Sequence, residues 1–427
     1  MKSVAEIRDN NLCCSCGICK NVCPVNAIKY IRENGMFVPE ISDACVSCGK
    51  CYKVCPSVQH SYEKNNLHQA MVGNLKFAIN AWSKDSDIRH FSASGGVITT
   101  IVEYLLSHDY YDYVFTVDTY NYHSQVKTNK YDKHSYNLND ISTQKYTKSR
   151  YIPVSHENLV DFIMNNSDSK VIIIATSCAV RGILNVIDKF KLNRNNYLLL
   201  GLFCDQVYNY NCWEYYSDML FDNYGDISEF NFKNKDSGGW PGNMKFYFSD
   251  GKCVFKDKSE RVKIKDYFKP ERCVYCVDKL NVCADISLGD NYTDQNSSSL
   301  GSNSVIIRTD LGEKIFKLIS ETIDYERIDV DKICVAQYFD GRKKNYEFSL
   351  LKNSELNDNF QLNSVMDYEH NSNAASEYKT VLRNLHYGEI YPLNRKKLIK
   401  QIQKSGRKTN QLKRIFRALL RRLRNES

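Results

Sequence analysis

The apolar residues of this chain fall into short runs with two different spacings. Val171–Ala175 and Tyr197–Phe203 are continuous apolar stretches of strand length, the pattern of parallel strands buried on both faces. Each leads into a segment with helical spacing, Val180–Phe190 and Asn211–Phe221. Phe77–Trp82, Tyr113–Asp118 and Ser302–Arg308 read as further strands. Glu157–Asn165 and Leu311–Ile323 read as helices, as does the segment carrying Ile98, Ile101, Val102 and Leu105. Repeated strand–loop–helix units predict a mostly parallel α/β sheet, whose ligands sit beyond the carboxyl ends of the strands. Ile227–Lys233 and Met244–Phe255 read as antiparallel strands, the second turning at Asp250-Gly251. Ser61–Asn74 is polar and reads as a linker, Tyr120–Asp140 as loop or ragged strands, and the chain beyond about Lys352 as irregular. No apolar run approaches the ~20 residues of a membrane span.

Cysteine changes this picture most. The chain has 17 among 427 residues. Cys13, Cys16, Cys19 and Cys23 are spaced C-x2-C-x2-C-x3-C and followed by Pro24; Cys45, Cys48, Cys51 and Cys55 repeat the run before Pro56. This is the bacterial ferredoxin pattern, in which the fourth cysteine of each run ligates the other cluster. The expected sets are Cys13, Cys16, Cys19 and Cys55 for one 4Fe–4S centre, and Cys45, Cys48, Cys51 and Cys23 for the second. Zinc knuckles use paired cysteines rather than triples at steps of three. Cys273-x2-Cys276-x6-Cys283 forms a third group, too small alone for a cube or a closed zinc site. A fourth thiolate must come from elsewhere in the fold, and Cys178 or Cys204, both at predicted strand ends, could supply it. An odd cysteine count, free thiols and an N-terminus without an apolar signal core place the protein in a reducing compartment, read as the cytoplasm.

The net charge of +8 is unevenly spread. Arg395 to Arg424 holds thirteen Lys and Arg and no acid, so with Glu426 the tail is about +12 and the remainder, at roughly −4, is slightly acidic. Nucleic-acid binding is disfavoured on that balance. In the tail, Leu412, Ile415, Phe416, Leu419, Leu420 and Leu423 form an apolar stripe opposite a cationic face. That helix suits either peripheral contact with an anionic membrane at its inner face or packing on the protein's own acidic body. Upstream, Ser94-Gly95-Gly96 opens a helix, with Ser94 placed as its N-cap; the glycines serve either a tight turn or close approach of an anion to backbone N–H groups.

The order of motifs resembles the beta-subunit family of coenzyme F-420 hydrogenases and dehydrogenases. Ser92-Ala-Ser-Gly-Gly96 is similar to the family's Ser-Gly-Gly helix opening, and Lys145-Tyr146 with Ser149 to its Ser-Lys-Tyr segment. Thr176-Ser-Cys178 resembles its Thr-Pro-Cys-Gln turn, Cys204 its Cys-His-Gly, and Cys273 to Asp290 its Cys-rich segment ending in Gly-Asp. The resemblance implies an α+β ferredoxin-like dicluster domain (1–60) followed by an α/β (mixed-sheet) flavoprotein domain (75–350). An irregular connector (351–394) and the basic helix (395–427) would complete the chain. It further implies FAD, one 4Fe–4S cluster in the second domain, and hydride exchange between flavin and a deazaflavin. Ser94, Gly95, Gly96, Lys145 and Arg150 are then candidates for the flavin or substrate phosphates. Relatives include enzymes encoded within surface-polysaccharide gene sets. Ser177, Ala179 and Asp205-Gln206 depart from the family's residues beside the expected pocket. The expected function is an iron–sulfur flavoprotein oxidoreductase fed by a redox partner protein or a reduced carrier. A relay subunit that docks a partner enzyme without its own flavin is the alternative.

Overall fold

The computed structural model describes residues 2–58, 66–119, 121–141, 146–293, 298–356, 362 and 374–404. Its N-terminal part is built from two copies of one loop. In each, the middle cysteine is flanked by a serine and a glycine in the left-handed region: Ser15 and Gly17 (φ 56° and 73°), then Ser47 and Gly49 (φ 52° and 69°). Such a curl turns three successive thiols inward, and glycine adopts it without steric cost. Short helices, Ile18–Asn21 and Lys50–Val54, close the loops. An antiparallel hairpin of β1 (Ile28–Glu33) and β2 (Met36–Ile41) joins them.

The body is an eight-stranded sheet. Its strands in chain order are β3 (Phe77–Ser83), β4 (Tyr113–Thr116), β5 (Asn129–Tyr131), β6 (Val171–Thr176) and β7 (Tyr197–Leu202). A separate three-stranded sheet, β8 (Ile227–Asn234), β9 (Asn243–Phe248) and β10 (Cys253–Lys256), follows; then come β11 (Ile286–Asp290), β12 (Asn303–Ile307) and β13 (Ile323–Ile328). The large sheet runs β13-β3-β12-β11-β7-β6-β4-β5. Only β11, β7, β6 and β4 are mutually parallel; β12, β3, β13 and β5 pair antiparallel. The sheet is therefore mixed, as the family resemblance implies, and not mostly parallel as the strand–helix units alone predict, because a fully buried strand such as β12 carries no signature of its direction. Alternate residues of the central strands enter two different cores. Val171, Ile173 and Leu199 pack with the helix Ser177–Lys189, while Ile172, Leu198 and Leu200 pack with the helix Val97–Ser107.

Three expectations are corrected. The expected linker contains the helix Leu67–Val72, capped by Asn66 and burying Leu67, Ala70 and Met71. The expected helix Leu311–Ile323 ends at Ile319, and Ile323–Ile328 is an edge strand whose central side chains are exposed, so charge masked its period. The stretch expected to be an irregular connector is helical over Ala374–Glu389, held by buried Tyr378 and Leu385. A further helix spans 391–404, with Tyr391, Leu398 and Ile402 buried and Arg395 paired to Asp218 at 3.0 Å. The apolar stripe from Leu412 to Leu423 lies outside the described residues. Among the described residues no helix is long and apolar enough to cross a membrane.

One contact fixes the ferredoxin module against the sheet. Gly182, inside the helix Ser177–Lys189, faces both cysteine runs: a Cβ there would meet Ile18 Cδ1 at 2.5 Å and Pro56 Cδ at 3.2 Å. The His156 N–H adds a bond to the Cys16 carbonyl at 2.7 Å. The module thus covers the carboxyl-terminal end of β6.

Candidate iron–sulfur and cofactor site

Within the module the fold brings thiols of the two cysteine runs together. Cys55 acts electrostatically on Cys13, Cys16 and Cys19, although it is distant from them in sequence, while Cys51 feels Cys48 and Cys23. Burial pushes the Cys13 thiol up to about 12 and Cys55 up to about 11. Such thiols resist ionisation in an apolar setting, so a bound metal centre must supply the offsetting charge that makes them thiolates. The donor set fits iron–sulfur ligation. Cys19 also lies 3.1 Å from the Tyr30 hydroxyl.

The second domain groups its cysteines differently from the sequence expectation. Cys178 opens the helix Ser177–Lys189 after β6, and Cys204 follows β7. These parallel neighbours bring both cysteines to Cys273 and Cys276: Cys204 interacts with Cys273, Cys178 and Cys276, and Cys273 with Cys276 and Cys178. Cys283 stands apart among Arg181, Asp278 and Arg308. The expected triple of Cys273, Cys276 and Cys283 is therefore not brought together. Six intervening residues carry the chain away and into β11, whereas adjacent strand ends deliver two thiols at once. Cys14, which belongs to no spacing pattern, contacts both Cys16 and Cys178; that contact and burial raise the Cys178 thiol well above its ordinary value. Arg272, buried with its Nε bonded to Ser57 Oγ at 3.2 Å, acts on Cys55 of the module and on Cys276 and Cys178.

These groups open onto one cavity of about 260 Å³, just below the roughly 300–1,000 Å³ of ordinary ligand sites. Cys14 and Cys16 of the module line it together with Cys178, Cys204 and Cys273. Ser94, Gly96, Arg150 and Asp290 also line it. Gly96, not Ser94, is the N-cap of the helix Val97–Ser107, in the left-handed region at φ 81°. Ser94 instead donates to the Ser302 carbonyl at 2.7 Å. Gly95 is needed for packing, since a Cβ would meet the Ala81 carbonyl and Asn303 N at 2.8 Å. Arg150 Nε donates to the Thr119 carbonyl at 3.0 Å, which sets its direction. Lys145 lies outside the described residues.

Several further groups shape this cavity. Lys235 is buried and its ammonium bonds the carbonyls of Arg89, Ser94 and Leu300 at 2.6–2.7 Å, fixing the Ser94 turn. Burial lowers Lys148, on the cavity wall, to about 8. His156 Nδ1 and Gln206 Oε1 are buried on the wall with no hydrogen-bond partner among the described residues. Leaving such atoms unpaired costs about 1–3 kcal/mol each, so the wall is built for an occupant with complementary polar atoms. Helix N-terminus, cations and orphaned polar atoms together fit an anion-bearing cofactor. Asp285 plays a purely structural part, accepting from Arg194 at 2.8 and 2.9 Å, Thr309 Oγ1 at 2.7 Å and the Leu199 N–H at 2.9 Å.

Three stretches of the chain match known protein families. Residues 12–59 match a 4Fe–4S dicluster domain. Residues 78–136 match the N-terminal part, and residues 168–332 the C terminus, of the coenzyme F420 hydrogenase/dehydrogenase beta subunit. A subunit of the F(420)H(2) dehydrogenase of Methanosarcina mazei is 24% identical over 348 residues, covering 75% of this chain and 86% of that protein. A chain of the F420-reducing NiFe hydrogenase complex of Methanosarcina barkeri, from a xenon-derivatised structure, is 16% identical with a TM-score of 0.47. That match covers 68% of this chain and 96% of the other. This chain belongs to the coenzyme F420 hydrogenase/dehydrogenase beta-subunit family, as an iron–sulfur electron-transfer member carrying an N-terminal 4Fe–4S dicluster domain.

Proposed function

We propose that the protein is an oxidoreductase that relays electrons through three 4Fe–4S clusters to FAD in the cavity, and thence to or from a small-molecule substrate. The carrying observation is that thiols of the ferredoxin module and thiols at the ends of β6 and β7 share the walls of one cavity. Cys178, Cys204, Cys273 and Cys276 would hold the third cluster. FAD, when bound, would exchange single electrons with clusters and electron pairs with substrate. The protein's own groups have simpler tasks: the Val97–Ser107 helix start, Lys148 and Arg150 attract phosphate, and His156 and Gln206 hydrogen-bond polar edges. Arg272 places positive charge between the two thiol groups, which favours electron residence there. A redox partner protein would feed the module, in a reducing compartment.

The relay reading, without flavin, draws support from Asp205. This residue is occupied by ion pairs to Lys265, to Lys279 at 3.6 Å and to Arg342 at 3.4 Å. Acid-extracted flavin from anaerobically purified protein separates the readings. About one FAD per chain is expected for the oxidoreductase; a flavin-free protein with full iron content would establish the relay.

A further inference from the structure

The helix Asp340–Asn353 lies beyond residue 332, where the match to the family's C terminus ends. Two of its side chains nevertheless reach into the second-domain cysteine group. Arg342 donates through Nη1 to the Cys276 carbonyl at 2.8 Å, and through Nη2 to the carbonyls of Cys204 at 2.6 Å and Asp205. Asn345 Nδ2 donates to the carbonyls of Cys276 at 2.7 Å and Cys273 at 3.3 Å. Three of the four clustered cysteines are thereby held by one helix. Arg342 is only 3% exposed, and its Nε–H has no hydrogen-bond partner among the described residues. Its charge acts on the thiols of both Cys204 and Cys276. Asp205 draws Lys265 and Lys279 to the same spot, so three cations surround one carboxylate.

We propose that Arg342 is a positioning and potential-setting residue of the third cluster, and that the cations gathered around Asp205 make this cluster the electron sink of the chain. The inference rests on the three-cluster reading above. Reduction adds one negative charge to a cluster, so a neighbouring desolvated cation stabilises the reduced form more than the oxidised one. Potentials of such centres follow net charge among other factors, and Arg342 acts through its charge while its hydrogen bonds to the cysteine carbonyls position the ligand loops. In the step concerned, a module cluster loses one electron and the third cluster gains it; no proton or leaving group moves. Asp205 gathers these cations at the cost of one opposing charge.

The test is a redox titration followed by electron paramagnetic resonance, on full-length protein whose iron and sulfide have first been measured. Arg342→Gln should retain its iron and lower the third cluster's reduction equilibrium at least tenfold, equivalent to about 59 mV for one electron. Arg342→Lys should recover most of that shift. Asp205→Asn, which removes an exposed negative charge, should shift the same cluster in the opposite direction. Unchanged potentials in both Arg342→Gln and Asp205→Asn would overturn the inference. So would equal loss of the cluster in both Arg342 variants with no shift in Asp205→Asn, which would make the residue a scaffold only. Wild-type protein holding iron for two clusters would instead refute the three-cluster reading on which the inference stands.

Discussion

Gly182 offers a clear test of how the ferredoxin module docks, because two effects of known sign oppose each other there. In a free helix, Gly→Ala stabilises by about 1 kcal/mol. Here the added Cβ would come within 2.5 Å of Ile18 Cδ1 and 3.2 Å of Pro56 Cδ. Overpacking a filled interface costs roughly 1–3 kcal/mol. Ile18 Cδ1 is the flexible end of a side chain, so the lower part of that range applies to alanine, and the net effect is about 0–1 kcal/mol destabilising. Valine adds two methyl groups toward the ring of Pro56, which cannot rotate away, and moves the net cost to about 3 kcal/mol. At roughly 2–4 °C per kcal/mol the Val variant should melt several degrees below wild type. Its module should keep its iron, because the cysteine loops are untouched, while electron transfer out of the module slows. Differential scanning calorimetry under anaerobic conditions reads the first effect and stopped-flow bleaching the second. A Gly182→Ala protein more stable than wild type by about 1 kcal/mol would refute the reasoning, since propensity alone would then be acting.

Cys178→Ser and Cys204→Ser should each remove roughly one cluster's four irons. Cys283→Ser should leave iron unchanged, and the reverse pattern would restore the expectation drawn from sequence. His156→Leu, which replaces the orphaned polar atom on the wall with an apolar side chain, should lower flavin content several-fold with iron intact; unchanged flavin would place the cofactor elsewhere. Glu389 is raised to about 7 by burial and by the charge of Glu271. Its folded-state value lies above its free value, so its contribution is fully present below pH 4.5 and is lost as pH rises through about 7. Glu389→Gln should therefore melt higher than wild type at pH 8 and show no excess at pH 4.5; equal melting temperatures at pH 8 would count against the assignment.

What can be read from the chain alone follows from the range of each interaction. The cysteine runs are local, and their loops take the curled backbone that the spacing requires. The strands Val171–Thr176 and Tyr197–Leu202 are legible because burial on both faces leaves almost no polar position. Cys178 and Cys204 are recognisable as strand-end residues, yet their joint association with Cys273 and Cys276 depends on which strands are neighbours. That is fixed by packing across the sheet rather than by any local pattern. Strand direction escapes for the same reason: β12 is buried throughout and pairs antiparallel on both sides. Lys235, Arg272 and Arg342 carry no signal in the sequence, since a buried cation is identified only by the carbonyls or hydroxyl that receive it. His156 and Gln206 stand out only once their unpaired atoms are seen on the cavity wall.

The central claim is that a third cluster joins the ferredoxin module to the cavity. Iron and acid-labile sulfide counted per chain, in full-length protein purified anaerobically, test it most directly. About twelve of each, four per cluster, is the predicted result, and about eight of each would contradict it.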